Sequence, residues 1–255
     1  MKKTLLTLAS ASLLSMSAQA EQLWSDNSVS VLYGSNYIEP FAFDSETEVT
    51  YTTLTLEHVS GHSWGGLFYF VDRHSGEGFT DTYIEFSPTF NLASFDGAIT
   101  GLKAAYTLES GAGHSTPDPL KDNGDGFENH MVGLGVDLAI PGMDYANATL
   151  FRAFNDKLDI NKGDDNMLQL VYGYSHGQLT IDGFLDYRFG NDDGTNFGDV
   201  EDSLNFTPQI TYNLGPALGF KNKFKLGVEY SYWTNKFGID GADQNAVSLL
   251  LKAHL

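Results

Sequence analysis

The chain has 255 residues, no cysteine, and 33 Asp and Glu against 14 Lys and Arg, a net charge of −19. That acidity argues against a nucleic-acid partner, which needs clustered Lys and Arg to neutralise phosphates, and the missing cysteine excludes disulfides and thiolate metal sites. With 42% hydrophobic residues, 13% aromatics and 27 glycines, the composition fits a transmembrane β-barrel, which needs one apolar residue in two and aromatic girdles at both interfaces.

The chain opens MKKTLLTLASASLLSMSAQA. Lys2 and Lys3 supply a positive start, a short apolar run follows, and Ala18-Gln19-Ala20 makes a small-x-small cleavage site. The run is too short to cross about 30 Å as a helix. Residues 1–20 therefore read as a cleaved secretory signal peptide, and residues 21–255 as one mature domain. No later stretch reaches the ~18 consecutive apolar residues of a membrane helix. A secreted β-sandwich is the competing architecture.

From Ser28 onward about twelve segments alternate with period two, the mark of a strand whose faces see different media. They lie near residues 28–37, 49–58, 64–73, 82–92, 99–109, 130–140, 145–155, 167–175, 179–189, 205–214, 225–234 and 245–255. Each is close to the about 9–11 residues of a tilted membrane strand. The fourth segment carries Ile84, Phe86, Phe90 and Leu92 on one face and Tyr83, Glu85, Ser87 and Thr89 on the other. In the last, Val247, Leu249, Leu251, Ala253 and Leu255 share a face. The pattern predicts an all-β fold, a closed antiparallel transmembrane barrel of about twelve strands.

The links support the same reading. Long ones follow odd-numbered segments, such as residues 110–129 and 190–203, and mostly shorter ones follow even-numbered segments, such as His176-Gly177-Gln178. Acidic residues gather on the odd links: Glu39, Asp44, Glu46 and Glu48; Glu77 and Asp81; Asp118, Asp122, Asp125 and Glu128; Asp156, Asp159, Asp164 and Asp165; Asp192, Asp193, Asp199, Glu201 and Asp202; Asp240 and Asp243. Short periplasmic turns and long acidic extracellular loops are expected of a barrel in an asymmetric outer membrane. Looser divalent bridging between these loops and lipopolysaccharide phosphates is a further expectation.

Several runs, in order, resemble those of a known family: TLEHVSGHSWGGLFYFVD from Thr55, TYIEFSPTFNL from Thr82, GLGVDLAIPGMDY from Gly133, DGFLDY from Asp182, TPQITYNLG from Thr207 and GVEYSYWTNKFGI from Gly227. They look like the nucleoside-specific channel-forming outer-membrane proteins, the Tsx-like and OmpK-like family, and are closer to the OmpK-like branch. The resemblance implies a narrow monomeric barrel in outer-membrane lipid and lipopolysaccharide. It implies passive diffusion of nucleosides, and use as a phage or colicin receptor. Barrels of this class usually finish on an aromatic residue; this chain finishes on Leu255.

A passive channel needs no catalytic group, cofactor or metal. Strand parity predicts an inward set of Glu57, Asp72, Glu85, Glu109, Asp137, Arg152, Asp182, Asp186, Arg188, Glu229 and Lys252. In a small barrel such charges fill the interior and pair with one another. The sharper expectation joins them to aromatics of the same parity: Phe68 and Phe70 with Asp72, Phe184 with Asp182, Asp186 and Arg188, and Trp233 with Glu229. A nucleoside base stacks on an aromatic face for ~1–3 kcal/mol, and its ribose hydroxyls suit carboxylates and Arg. In the third segment the opposite parity, Leu67, Tyr69 and Val71 inward, is an equal alternative and would place Phe68 and Phe70 in the girdle. The candidate lumen residues are Phe68, Phe70, Asp72, Glu85, Arg152, Asp182, Phe184, Asp186, Arg188, Glu229 and Trp233. An enzyme is the third class of function: no G-x-S-x-G or H-E-x-x-H occurs, and His58 and His62 are expected to point apart. The second is a receptor or structural barrel without significant transport.

Overall fold

The computed structural model describes residues 21–40, 46–115, 126–155, 163–191 and 200–255. The leader-like residues 1–20 lie outside these, as do the link residues Asp44, Asp118, Asp122, Asp125, Asp156, Asp159, Asp192, Asp193 and Asp199. The strands are β1 (Gln22–Ile38), β2 (Glu48–His62), β3 (Gly65–Gly76), β4 (Phe79–Ser94), β5 (Ile99–Ser115) and β6 (Phe127–Leu138). They continue with β7 (Tyr145–Phe154), β8 (Asp165–His176), β9 (Leu179–Phe189), β10 (Ser203–Asn213), β11 (Phe224–Thr234) and β12 (Gln244–His254). Each pairs antiparallel with its sequence neighbours, and β12 returns to β1 with Ser28 opposite His254 and Ser35 opposite Val247. The sheet is a closed twelve-stranded barrel.

The strands match the predicted segments in order, and most run longer; β9 and β12 equal theirs and β7 stops short of its own at Phe154. β1 and β5 each run 17 residues. Residues 110–115, expected in a link, extend β5 because they pair with residues 79–84 of β4. The β3–β4 link shrinks to Glu77 and Gly78, with Gly78 at φ 70°, a left-handed turn conformation that glycine adopts without steric cost. Asp81 thus belongs to β4, opposite His74, with Oδ2 3.4 Å from the ring Nδ1. Asp165 likewise starts β8 and is buried. On the other rim the β10–β11 link is the longer exception. It holds one helical turn (Gly215–Leu218), and Asn213 Oδ1 staples it by accepting from the Gly215 and Phe224 N–H groups.

The period-two pattern places an apolar belt outside. Val31, Leu54, Ile84, Leu134, Leu150, Ile210, Val228 and Leu249 are all exposed on the outer wall. A soluble monomer rarely shows a contiguous apolar patch above a few hundred Å², whereas a belt around every stave suits lipid. Near the rim that carries the termini, His62 stacks on Trp64 and Trp64 leans on Phe90, as expected of an interfacial girdle.

The interior is not uniformly wet. Ala105, Met131, Phe151, Ala153 and Met167 form a dry cluster against β5 to β8. At the loop rim Tyr37 stacks on Tyr51 at 4.0 Å beside Ala246, and the Tyr37 hydroxyl bonds Ser248. Two substitutions test this division. Leu134→Arg is expected to cost about 2–4 kcal/mol in a lipid bilayer, read from urea unfolding in phospholipid vesicles. A stability unchanged or raised there would place that wall in water. Phe151→Ala is expected to cost about 3–5 kcal/mol in the same measurement, whereas a wet lumen around it would reduce the loss to a small fraction of that.

Candidate functional site

A cavity of about 1720 Å³ runs inside the barrel, from Asp26, Lys223 and His254 at the terminus rim to Glu39, Phe127 and Lys236 at the loop rim. Ten of the eleven candidate residues line it: Phe68, Phe70, Asp72, Glu85, Asp182, Phe184, Asp186, Arg188, Glu229 and Trp233. In β3 the parity is decided by Tyr69, exposed on the outer wall while its neighbours Phe68 and Phe70 face in. Arg152 is the exception. It lies on the outer face between the exposed Leu150 and Phe154, because Phe151 and Ala153 take the buried inner positions of β7. Its guanidinium reaches Asn166 Oδ1 at 3.5 Å and Asp164 at 3.9 Å, near the loop end of the wall.

Arg188 is the most heavily bonded of the ten. Its Nη2 donates to both Glu109 oxygens, at 2.7 and 2.9 Å, and its Nη1 donates to Asp165 at 3.3 Å. The side chains of Arg188, Glu109 and Asp165 are almost closed off from water. β9 and β5 are separated round the barrel by β6, β7 and β8, so the Arg188–Glu109 pair spans the interior as a chord. The dry cluster fills the sector behind it, with Met131 Sδ 3.6 Å from Nη2. Charge-assisted bonds of this kind are short and directional. Removing one partner leaves a buried charge uncompensated, a loss of about 3–5 kcal/mol.

From β3 across β4 to the loop end of β6 the aromatic rings form a ladder. Phe68 to Phe70 is 5.7 Å between centroids, Phe70 to Tyr83 is 5.5 Å, and Tyr83 to Phe127 is 6.2 Å. These separations lie in the range of favourable ring contact. Phe127 was not among the candidates. Its ring folds over Gly111, the residue opposite it on β5, where an added Cβ would stand 2.3 Å from the ring. A glycine facing an aromatic in a strand is the signal that could have located it. Trp233 stands apart from the ladder at the loop rim, donating from Nε1 to Ser203 Oγ at 2.8 Å and packing edge-on against Phe237. Phe184 lines the wall of β9.

The lumen carboxylates fall into two groups by partner. Glu57 accepts from Lys252 at 3.0 Å and from Ser28, and Asp137 accepts from Lys103 at 2.7 Å. Asp72, Glu85 and Glu229 instead accept from neutral donors: Thr55 at 2.5 Å, Ser87 at 2.7 Å and Gln209 Nε2 at 2.8 Å. At the loop rim the buried Lys236 donates to Ile38 O, Glu39 and Gln244 and so ties β1 to β12 and their flanking links.

The histidines correct one expectation. His58 and His62 do not point apart; side chains repeat every second residue on a strand, and both rings bond the intervening Ser60 Oγ at 2.9 Å on the outer wall. Asn27 Oδ1 lies 2.8 Å from His58 Nδ1. Ser60 is 2% exposed beneath the two rings, which closes its hydroxyl to a substrate.

No family model matches the chain, and no curated protein matches it. Among solved structures it is similar to the KdgM porin, at 13% identity over 89% of this chain and 98% of that chain, with a TM-score of 0.50. It is also similar to the KdgM porin in complex with disordered oligogalacturonate, at 13% identity over the same shares and a TM-score of 0.49. A third is the translocator domain of autotransporter NalP from Neisseria meningitidis, at 10% identity over 99% of this chain and 95% of that chain, with a TM-score of 0.42. The likeness is one of fold: this chain is a closed antiparallel barrel of the kind that porins build.

Proposed function

We propose that the barrel is a passive channel of the Gram-negative outer membrane for nucleosides and similar small polar solutes. Residues 1–20 direct its export, and it works as a monomer among lipid and lipopolysaccharide. The observation that carries this reading is the ladder Phe68–Phe70–Tyr83–Phe127, which shares its lumen with Asp72, Glu85 and Glu229. A planar base slides from ring to ring, each contact weak enough to release it, while ribose hydroxyls exchange partners among carboxylates. The exposed apolar belt supports the membrane setting. The resemblance of the sequence runs to nucleoside channels supports the solute class.

A second reading is favoured by one observation, the Arg188 chord with its dry sector, which fills part of the interior. On that reading the barrel is a mostly closed scaffold whose loops act as a phage or colicin receptor.

Planar-bilayer recording separates the two. A channel gives a small steady conductance that adenosine or thymidine lowers, and Phe70→Ala weakens that block by the ~1–3 kcal/mol of one stacking contact, roughly five- to a hundred-and-fiftyfold in half-blocking concentration. A conducting pore indifferent to nucleosides removes the solute assignment and keeps the pore. Arg188→Ala is expected to raise single-channel conductance, because it removes the bar across the lumen. A folded barrel silent in both forms supports the scaffold.

A further inference from the structure

The fixed charges of the lumen are unbalanced. Twelve carboxylates line the cavity against six Lys and Arg. Four of those six cations are already within ion-pair distance of an acidic side chain: Lys103 with Asp137, Arg188 with Glu109 and Asp165, Lys236 with Glu39, and Lys252 with Glu57. Lys225 is itself buried against the wall.

Eight of the twelve lining carboxylates stand outside these pairs, among them Asp72, Glu85, Asp186 and Glu229. Asp72, Glu85 and Glu229 are held by Thr55, Ser87 and Gln209, partners that donate a hydrogen bond without supplying charge. Asp186 faces Gln169 in the β8–β9 register, and its Oδ1 is buried without a hydrogen-bond partner among the described residues. The four form two facing sets. Asp72 and Glu85 look into the cavity from the adjacent strands β3 and β4, and Asp186 and Glu229 from β9 and β11 on the other side of the barrel. Like charges brought together across a cavity with low-dielectric walls concentrate mobile counter-ions between them.

The geometry points to a charge filter: the barrel passes cations in preference to anions, and Asp72, Glu85, Asp186 and Glu229 are the residues that set the preference. This rests on the channel reading above. It also gives Arg188 a second consequence. The one guanidinium that reaches the interior is neutralised by Glu109 and Asp165, so it offers no competing anion track.

The test is a reversal-potential measurement on the full refolded barrel in a planar bilayer under a tenfold KCl gradient. The wild type is expected to favour K⁺ over Cl⁻ by about tenfold. Asp72→Asn with Glu229→Gln is expected to lower that ratio roughly threefold, and Asp186→Asn alone to lower it by a smaller factor. Arg152→Gln on the outer wall serves as the control and leaves it unchanged. Heat-modifiable gel migration verifies that each variant is a folded barrel, and Asp186→Asn carries the test where the double variant does not fold. A conducting wild type that shows no preference, or favours Cl⁻, overturns the filter while leaving the channel intact. A ratio that the lumen variants do not move, or that Arg152→Gln moves equally, overturns the assignment to these four residues. A folded barrel that conducts nothing overturns the channel reading and the filter with it.

Discussion

Hydrocarbon offers a peptide group no hydrogen-bond partner, so a chain that crosses a bilayer as strands must satisfy every N–H and C=O within its own sheet and leave no edge. The seam between β1 and β12 is where this chain meets that demand, through continuous pairing from Ser28–His254 to Ser35–Val247. Beyond the last ladder rung the Leu255 N–H still donates to Asn27 O at 2.9 Å. At the other end Lys236 binds Ile38 O and Gln244, so the seam is tied at both rims. Two of the interruptions elsewhere coincide with prolines. β4–β5 pairing skips from Phe86–Leu108 to Thr89–Ala105, and β10–β11 pairing skips from Phe206–Tyr232 to Gln209–Glu229. Pro88 and Pro208 fall in those gaps and have no N–H to give.

Closure of the sheet makes alternation obligatory, and alternation then decides what each residue meets. Outward positions such as Leu54, Leu134 and Leu249 have lipid as their solvent. Inward positions have two different environments. At Ala105, Met131, Phe151, Ala153 and Met167 on β5 to β8 they are apolar and closely packed, and elsewhere they are rings, hydroxyls, amides and charged groups along a cavity. Arg188 lies on the border between the two environments and belongs to both: its carboxylate partners close one sector while its neighbour Asp186 faces the other.

Much of the fold was legible because period two is a strong signal when the outer solvent is lipid. Ile84, Phe86 and Phe90 opposite Tyr83, Glu85 and Ser87 leave no choice of face. In β3 the same test was mute, since Phe68, Tyr69, Phe70 and Val71 are apolar or aromatic on both parities. Strand parity puts Arg152 among the inward residues, and the structure puts it on the outer face of β7. Near the loop end water reaches the outer wall, and the inner positions of β7 were already needed by Phe151 and Ala153. The Arg188–Glu109 bond joins residues 79 apart in sequence across three intervening strands. Nothing local to either residue announces it. Phe127 was hidden for a related reason: the space its ring uses is made by Gly111 on another strand.

The chord through Arg188 and Glu109 makes the barrel eccentric, and an eccentric barrel has a front and a back. Changes at Met131, Ala153 and Met167, the close-packed inner positions of β6, β7 and β8, register in assembly yield. Inner-face changes on β3, β9 and β11 meet the cavity and register in what crosses it. Sequence drift among barrels built on this plan would then be slow at the back for reasons of volume, and slow at the front only at positions that a solute touches. Two clocks would run in one cylinder of identical-looking staves.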